Sequence, residues 1–317
     1  MHLGASKEKW RRVHPPRCPV LLINPRSGDG RAARVSLADR ARERGVEPLV
    51  LRPGDDLAAL VADALDRGAD TIGMAGGDGS LAPVAAAAAE RDVPFVCLPA
   101  GTRNHFAMDV GIARHDLLGA LDAFTEGLEC RIDMAEVNGR PFLNNVSVGV
   151  YGEAAGRSGY RESKVRTTLD TLREVLSSTI PTPEVVVTDC LGHPHASPLV
   201  VLVSNNPYAL DQPLAQGSRP RLDTGGLGIV VLDRPGAERS PVTAWSAPSL
   251  EIAASASVAT GLDGEAVTLL PPLRCTTRPA ALRVRISRHH PGVSPAAQLS
   301  SRTASPGDVE RRLPRKR

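Results

Sequence analysis

A doubly wound α/β domain built on a parallel sheet, followed by an antiparallel β domain, is the fold class that the order of apolar runs predicts. Three observations carry this. Between Cys18 and Gly127, four short apolar runs alternate with four helix-length stretches. Those runs lack polar alternation, as strands covered on both faces do. Beyond about residue 130 the helical stretches give way to strand-length runs separated by Gly, Pro and Asp. A chain of 317 residues is long enough for two cores.

Taken in order, "CPVLLI" is a strand and "RAARVSLADRARERG" a helix closed by Gly45. "EPLVLR" is a strand and "DDLAALVADALDRG" a helix closed by Gly68. "DTIGMA" is a strand and "SLAPVAAAAAE" a helix, with Ser80 as its cap and Pro83 in its first turn. "VPFVCLP" is a strand and "HDLLGALDAFTEG" a helix. The stretch "IDMAEVNGRPFLNNVSVGVYG" reads as two strands around an Asn138-Gly139 hairpin turn. A helical segment over about 161–178 follows, with Val165, Leu169, Leu172 and Leu176 on one face, a spacing that suits core packing. The remaining strands are "EVVVTD", "PLVVLVSN", "GLGIVVLD", "LEIAAS", "EAVTLL" and "ALRVRIS". The domain plan is therefore 18–130 for the α/β part, completed by 280–290, and 131–279 for the β part.

Charge is unevenly spread. Residues 1–17 hold five Lys/Arg against one Glu, and 291–317 hold six against two acids, leaving the residues between with a net −5. Both ends are rich in Pro, Ser and Arg without apolar periodicity, which predicts disordered basic tails at 1–17 and 291–317. Such arms attract anionic lipid headgroups or nucleic acid phosphates, or serve simply as solubilising tails, the plainer reading. Aromatic residues make up 3% of the chain, too few for stacking platforms, so nucleic acid is not the expected partner. No apolar run approaches membrane-spanning length, and the N-terminus has no signal-type apolar core. Five scattered cysteines without CxxC spacing argue against a zinc site or a disulfide framework and fit a reducing cytoplasm.

The chemistry-bearing residues lie where strands end, the edge at which open α/β sheets bind ligands. "INPRSG" places Asn24, Pro25, Arg26, Ser27 and Gly28 between the first strand and its helix, where backbone N–H groups form an anion site. "GGDGS" follows the third strand. Gly76, Gly77 and Gly79 remove the Cβ atoms that would block a phosphate, and Asp78 offers a carboxylate to a metal or a hydroxyl. "PAGTRN" follows the fourth, with Gly101 for close approach and Thr102 and Asn104 as hydrogen-bonding groups. Neither a P-loop nor a full GxGxxG fingerprint is present. Three such turns on successive crossovers converge on one crevice.

The ordered set "NPRSG", "GGDGS", "PAGTRNHFA", "FLNNVSVGV", "SNNPY" and "LDGE" resembles the diacylglycerol kinase catalytic-domain family of lipid kinases, within the wider NAD kinase-like group. The resemblance runs from about residue 18 to 290. It implies an ATP- and Mg²⁺-dependent transfer of the γ-phosphate to a lipid hydroxyl, in a cleft between the α/β domain and a C-terminal antiparallel β-sandwich. It makes Glu265 of "GLDGEAV" the general base, with Asp78 helping to place the metal-nucleotide. Residues 24–28, 76–80 and Thr102 would hold phosphates, Asn104 would brace its loop, and Asp223 would take the aspartate position of a structural Mg²⁺ site. Action at a membrane surface, peripherally on its inner face from the cytoplasm, follows; a homodimer is left open.

Departures from the family pattern are Ser80 in place of Thr, and Pro83 and His105 in place of acids. Two other functions stay on the table: a kinase of a soluble acceptor such as NAD, and a non-catalytic nucleotide or lipid sensor. Asp263 and Glu265, two apart around Gly264, face one side on a strand and different sides in a turn. His193 and His195 read as a solvated hairpin loop, and His289-His290 as surface.

Overall fold

The computed structural model describes residues 9–149, 184–210, 217–234 and 240–303. The helical segment expected over 161–178 lies outside them.

The α/β part begins with β1 (Arg11–Val13) and β2 (Pro19–Ile23), then α1 (Arg31–Arg34), α2 (Leu37–Arg42) and β3 (Glu47–Val50). It continues with α3 (Leu57–Asp66), β4 (Thr71–Gly76), α4 (Asp78–Glu90), β5 (Phe95–Pro99), α5 (His105–Asp109) and α6 (Leu117–Leu121). β2, β4 and β5 are buried at every residue, which is why their sequences run apolar without alternation. The pairs β2–β3, β2–β4 and β4–β5 are all parallel. Asp56 starts α3 by accepting the N–H groups of Ala58 and Ala59, and Gly68, at φ 94°, ends it.

Three local expectations are corrected. The single helix expected over 31–45 is two short ones, broken where Ser36 adopts a left-handed conformation at φ 48°. α4 begins at Asp78, so its cap position is Gly77, and Ser80 instead donates its hydroxyl to the Gly77 carbonyl. Pro83 is accordingly the sixth helical residue; the missing N–H leaves the Gly79 carbonyl without its usual helical donor. The last expected helix, 115–127, is α6 plus a short 3₁₀ turn at Asp122–Phe124.

The second part comprises β6 (Gly127–Val137), β7 (Arg140–Phe142), β8 (Asn145–Gly149), β9 (Val185–Thr188) and β10 (Pro194–Ala196). After these come β11 (Val200–Asn205), β12 (Leu227–Leu232), β13 (Val242–Ala247), β14 (Ser249–Ala254), β15 (Val258–Leu262), β16 (Glu265–Leu269) and β17 (Leu273–Ser287). β6 and β7 turn at Asn138-Gly139, both at positive φ, as an Asn-Gly hairpin requires. A six-stranded antiparallel sheet runs β13-β12-β11-β8-β15-β16. It packs on the β9, β14 and β6/β17 face of the other sheet through a core that includes Val137, Val146, Val203, Ile229, Ile252 and Leu273. That is a sandwich.

The two parts share strands. β17 pairs with β14 and β6 through its first half, shifts register between Arg278 and Leu282, and then pairs with β6 and, at Val284, with Phe95 of β5. One sheet of eleven strands therefore runs from the sandwich into the parallel β5-β4-β2-β3 block.

Parts of both ends expected to be disordered are packed. β1 pairs with β6, the indole of Trp10 donates to the Gly292 carbonyl, and Pro295–Thr303 form α7, whose Ala296 and Ala297 are buried. The two small alanines give no apolar stripe to read, yet Ala296 N–H reaches the Ser218 hydroxyl and Ala297 N–H that of Ser294. His195 and His290 are likewise buried rather than exposed. His195 donates or accepts at Nδ1 with Asp233, 2.7 Å away, and stacks on Trp245, tying edge strand β10 to the facing sheet. His290 meets the Ala113 N–H at Nδ1.

Candidate active site

The three turns at the carboxyl ends of β2, β4 and β5 touch one another. Asn24 N–H donates to the Ala75 carbonyl at 2.9 Å, and its side-chain oxygen accepts the Arg26 N–H at 3.1 Å. Gly28 sits at φ 55°, and a Cβ there would run into the Ala100 carbonyl oxygen and come to 3.2 Å of that of Gly101. A Cβ on Gly101 would fall 2.7 Å from Gly77 Cα. At Gly76 it would meet the Ser80 hydroxyl and Met74 Cε. These glycines let three backbones approach at distances no side chain tolerates. Pro25, Ser27 and Gly28 are half-buried around this junction, while Arg26 and Thr102 are exposed at its rim. Asn104, 2% exposed, donates from one amide to the carbonyls of Pro99, Gly101 and Arg114, which braces the third turn.

Asp78 does not point outward. Its two oxygens accept the N–H groups of His105 and Phe106, at 3.3 and 3.2 Å, so the carboxylate joins the start of α4 to the start of α5. A carboxylate on free N–H groups at a helix start is a favourable charge-dipole contact. Burial holds the His105 imidazole below its ordinary value, against the pull of the Asp78 charge.

Across the cleft, β15 and β16 are joined by a two-residue turn, Asp263-Gly264, both at positive φ, and Leu262 pairs with Glu265. The turn sends the two acids in different directions. Asp263, 7% exposed, accepts the N–H groups of Leu143, Asn144 and Asn145 at 2.8, 2.8 and 3.0 Å. Burial pushes its carboxyl up to about 7; the three N–H donors pull the other way, and the Asp78 charge adds to the rise. Glu265 is exposed, and its side chain lies on Gly79: a Cβ there would overlap the carboxylate and sit 2.7 Å from its Cγ. Glu265 of the sandwich and Gly79 of the α/β part are thus in contact across 186 positions of chain.

Sequence reasoning missed Arg219 and Asp109, both fully enclosed. Arg219 is 0% exposed, and every one of its five side-chain N–H donors has an acceptor. Nε and Nη2 donate to Asp109 Oδ2 at 2.9 and 2.6 Å, Nη1 to the carbonyls of Leu143 and Asn205, and Nη2 to Asn144 Oδ1. Its own N–H donates to Asp109 Oδ1 at 2.7 Å. Burial pushes the Asp109 carboxyl up, but this set of donors around a fixed positive charge keeps the pair ionic, and Arg219 is held above its ordinary value. Tyr208 lies against the guanidinium at 5.8 Å and its hydroxyl oxygen accepts from the Asn145 side-chain amide; burial pushes its hydroxyl up to about 12.

The surroundings of Asp223 do not fit the structural magnesium expected there. Its carboxylate lies between Lys9 and Arg221, and neighbouring Thr224 spends its hydroxyl on Asn206. Among the described residues no group of three or more His, Cys, Asp or Glu side chains is placed to hold a metal ion. The nearby loop is instead held by Asp133, which accepts the N–H groups of Gly225 and Ala280. A cavity of about 410 Å³, lined by Asp70, Asp92, Glu129 and Arg283 among others, lies at the opposite, amino end of the parallel strands and takes no part in this site.

A parallel α/β block continued into an antiparallel sandwich is a fold that solved structures share. A structure described as a diacylglycerol kinase from Bacillus anthracis superposes with a TM-score of 0.59 over 86% of this chain and 98% of its own, at 19% identity. Another from that organism reaches 0.66 over 92% and 100%, at 18% identity. The model of the diacylglycerol kinase catalytic domain family matches residues 19–137 of this chain. Curated relatives include a "Probable lipid kinase YegS-like" of Cronobacter sakazakii, 36% identical over 138 residues, and a "Diacylglycerol kinase" of Mycobacterium tuberculosis, 32% identical over 120. The chain spans less than half the length of these two relatives, 46% and 39%, and the matches cover 42% and 37% of this chain.

Proposed function

We propose that this protein is an ATP-dependent lipid kinase that moves the γ-phosphate to a diacylglycerol-like hydroxyl, with Glu265 as the general base. The observation that carries the reading is the contact of the Glu265 carboxylate with Gly79, which brings an outward-facing acid of the sandwich to the start of α4. Phosphoryl transfer asks mainly for alignment, charge neutralisation and one proton acceptor. The backbone N–H groups of the turns at 24–28, 76–80 and 101–102 are suited to phosphate oxygens, with the α4 start as a positive end. Gly77 supports this directly: a Cβ there would meet no protein atom within 4 Å. Internal packing does not require glycine at that position, whereas close approach of a ligand does. ATP would bring its Mg²⁺ with it, and that ion's positive charge would offset the phosphate charge. Glu265 would take the acceptor hydroxyl's proton at a carboxylate oxygen, while Asp78 and Asp263 hold the two sides of the cleft in place.

The acceptor would be presented at a membrane surface. The described residues contain no helix long and apolar enough to cross a bilayer, and the basic residues of 304–317 suit attraction to anionic headgroups. Purified protein with [γ-³²P]ATP, Mg²⁺ and a mixed lipid extract should label a lipid, identified by mass spectrometry. Labelling of NAD but no lipid, or nucleotide binding without any turnover, would overturn the reading in favour of a soluble acceptor or a sensor.

A further inference from the structure

Five links close a ring through the cleft. Asp78 holds the N–H groups of His105 and Phe106 at the start of α5. Asp109, at the end of α5, grips the Arg219 guanidinium. Arg219 holds the carbonyl of Leu143 and the side chain of Asn144. Asp263 holds the N–H groups of residues 143–145. Two residues on, Glu265 rests on Gly79, next to Asp78. No other described side chain touches both α5 and the 143–145 loop through its own donors while being fully buried and fully satisfied.

We propose that Arg219 is a positioning residue for phosphoryl transfer: by tying α5 to the 143–145 loop it sets where Glu265 stands over the glycine turn. The acceptor set around it is a carboxylate, two carbonyls and an amide oxygen, the hard oxygen ligands that a structural cation elsewhere would use. Here an organic cation of fixed charge fills that set, and the Asp223 surroundings offer no second place for a dication. The arrangement rests on the kinase reading for its consequence but not for its geometry. Planarity is essential to it, since five N–H groups in one plane reach four separate acceptor groups, whereas a lysine ammonium has three donors at a single point. Through the chain of contacts, loss of the guanidinium should displace Glu265 relative to Gly79 without altering the glycine turns themselves.

The test is Arg219→Lys beside the wild type, each normalised to its folded fraction by nucleotide-binding stoichiometry. Lipid phosphorylation is read at saturating MgATP, and amide hydrogen exchange is read by peptide mass spectrometry. Expected are a kcat at least tenfold lower with a MgATP KM within twofold. Faster exchange is expected both at 105–106 and at 143–145. For Arg219→Ala, methylguanidinium in solution should restore part of the lost kcat. A kcat per folded molecule equal to wild type, or faster exchange confined to 217–221, would overturn the proposal and leave Arg219 as packing alone. If the wild type labels no lipid, the kinase reading falls, and the exchange pattern by itself still decides whether the ring exists.

Discussion

The turns at 76–80 and 263–265 both carry a Gly-Asp or Asp-Gly pair, and they use it in parallel ways. In each, the aspartate turns inward and accepts backbone N–H groups of a neighbouring loop: Asp78 those of His105 and Phe106, Asp263 those of Leu143, Asn144 and Asn145. What differs is what remains facing the cleft. The first turn offers bare backbone, since a Cβ on Gly77 would meet nothing within 4 Å; the second offers the Glu265 carboxylate. An acid that looks functional in a motif can be scaffold, and the reacting surface can be the peptide next to it.

This contrast can be broken in several ways. The largest effect should come from Glu265→Gln: a kcat about 10²–10⁴-fold lower, as for removal of a general base. Its melting temperature should stay close to wild type because the side chain is exposed. A kcat within threefold would remove Glu265 from the chemistry. Next, Gly79→Ala and Gly77→Ala separate the two services of glycine. The first places a methyl where the Glu265 carboxylate lies and should lower kcat by roughly 10², the scale on which misplaced groups act. The second should raise the MgATP KM with little change in stability. Identical kinetics for the pair would dissolve the distinction.

The aspartates should act on stability. Asp263→Asn keeps one acceptor oxygen but weakens a three-donor contact, at a cost of about 1–3 kcal/mol in urea unfolding at pH 8. The sign with pH is definite. Burial raises the folded-state value of this carboxyl to about 7, so the folded protein holds the proton more tightly than the unfolded chain. The corresponding stabilisation is present at low pH and is lost as pH rises through about 7. Measured from pH 5 to 8, the stability of the wild type relative to Asp263→Asn should therefore fall; a constant difference would show that Asp263 stays ionised throughout. The smallest effect expected is on membrane association: deleting 304–317, which removes five Lys/Arg and two acids, should weaken co-sedimentation with anionic vesicles at low salt. The cut spares α7, whose alanines are part of the packed structure.

The parallel strands, the Asn138-Gly139 hairpin and the three glycine turns were legible because local spacing alone encodes them. That Glu265 shares a cleft with the glycine turns was reached only through resemblance, since nothing local joins positions so far apart, and its contact with Gly79 came from the structure alone. Arg219 was not legible at all. In "SRPRLD" it is one arginine beside another, Arg221, which is partly exposed, and arginine is a residue expected outside. Its burial depends on Asp109, Leu143 and Asn205, brought together only by the tertiary fold. The same holds for His195, whose partner Asp233 lies just past the end of β12 in the facing sheet, and for α7, whose buried face is made of alanines too small to announce themselves.

Because β6 and β17 run side by side from the sandwich into the parallel sheet, the cleft is spanned by a hydrogen-bonded ribbon instead of a single strand of linker. A ribbon resists swinging open like a door. It flexes where its ladder is interrupted, which here is between Arg278 and Leu282. Substrate entry should thus be accommodated by a shallow bend at that interruption, and heating should melt both halves in one transition, since neither can lose its share of the ribbon and leave the other whole.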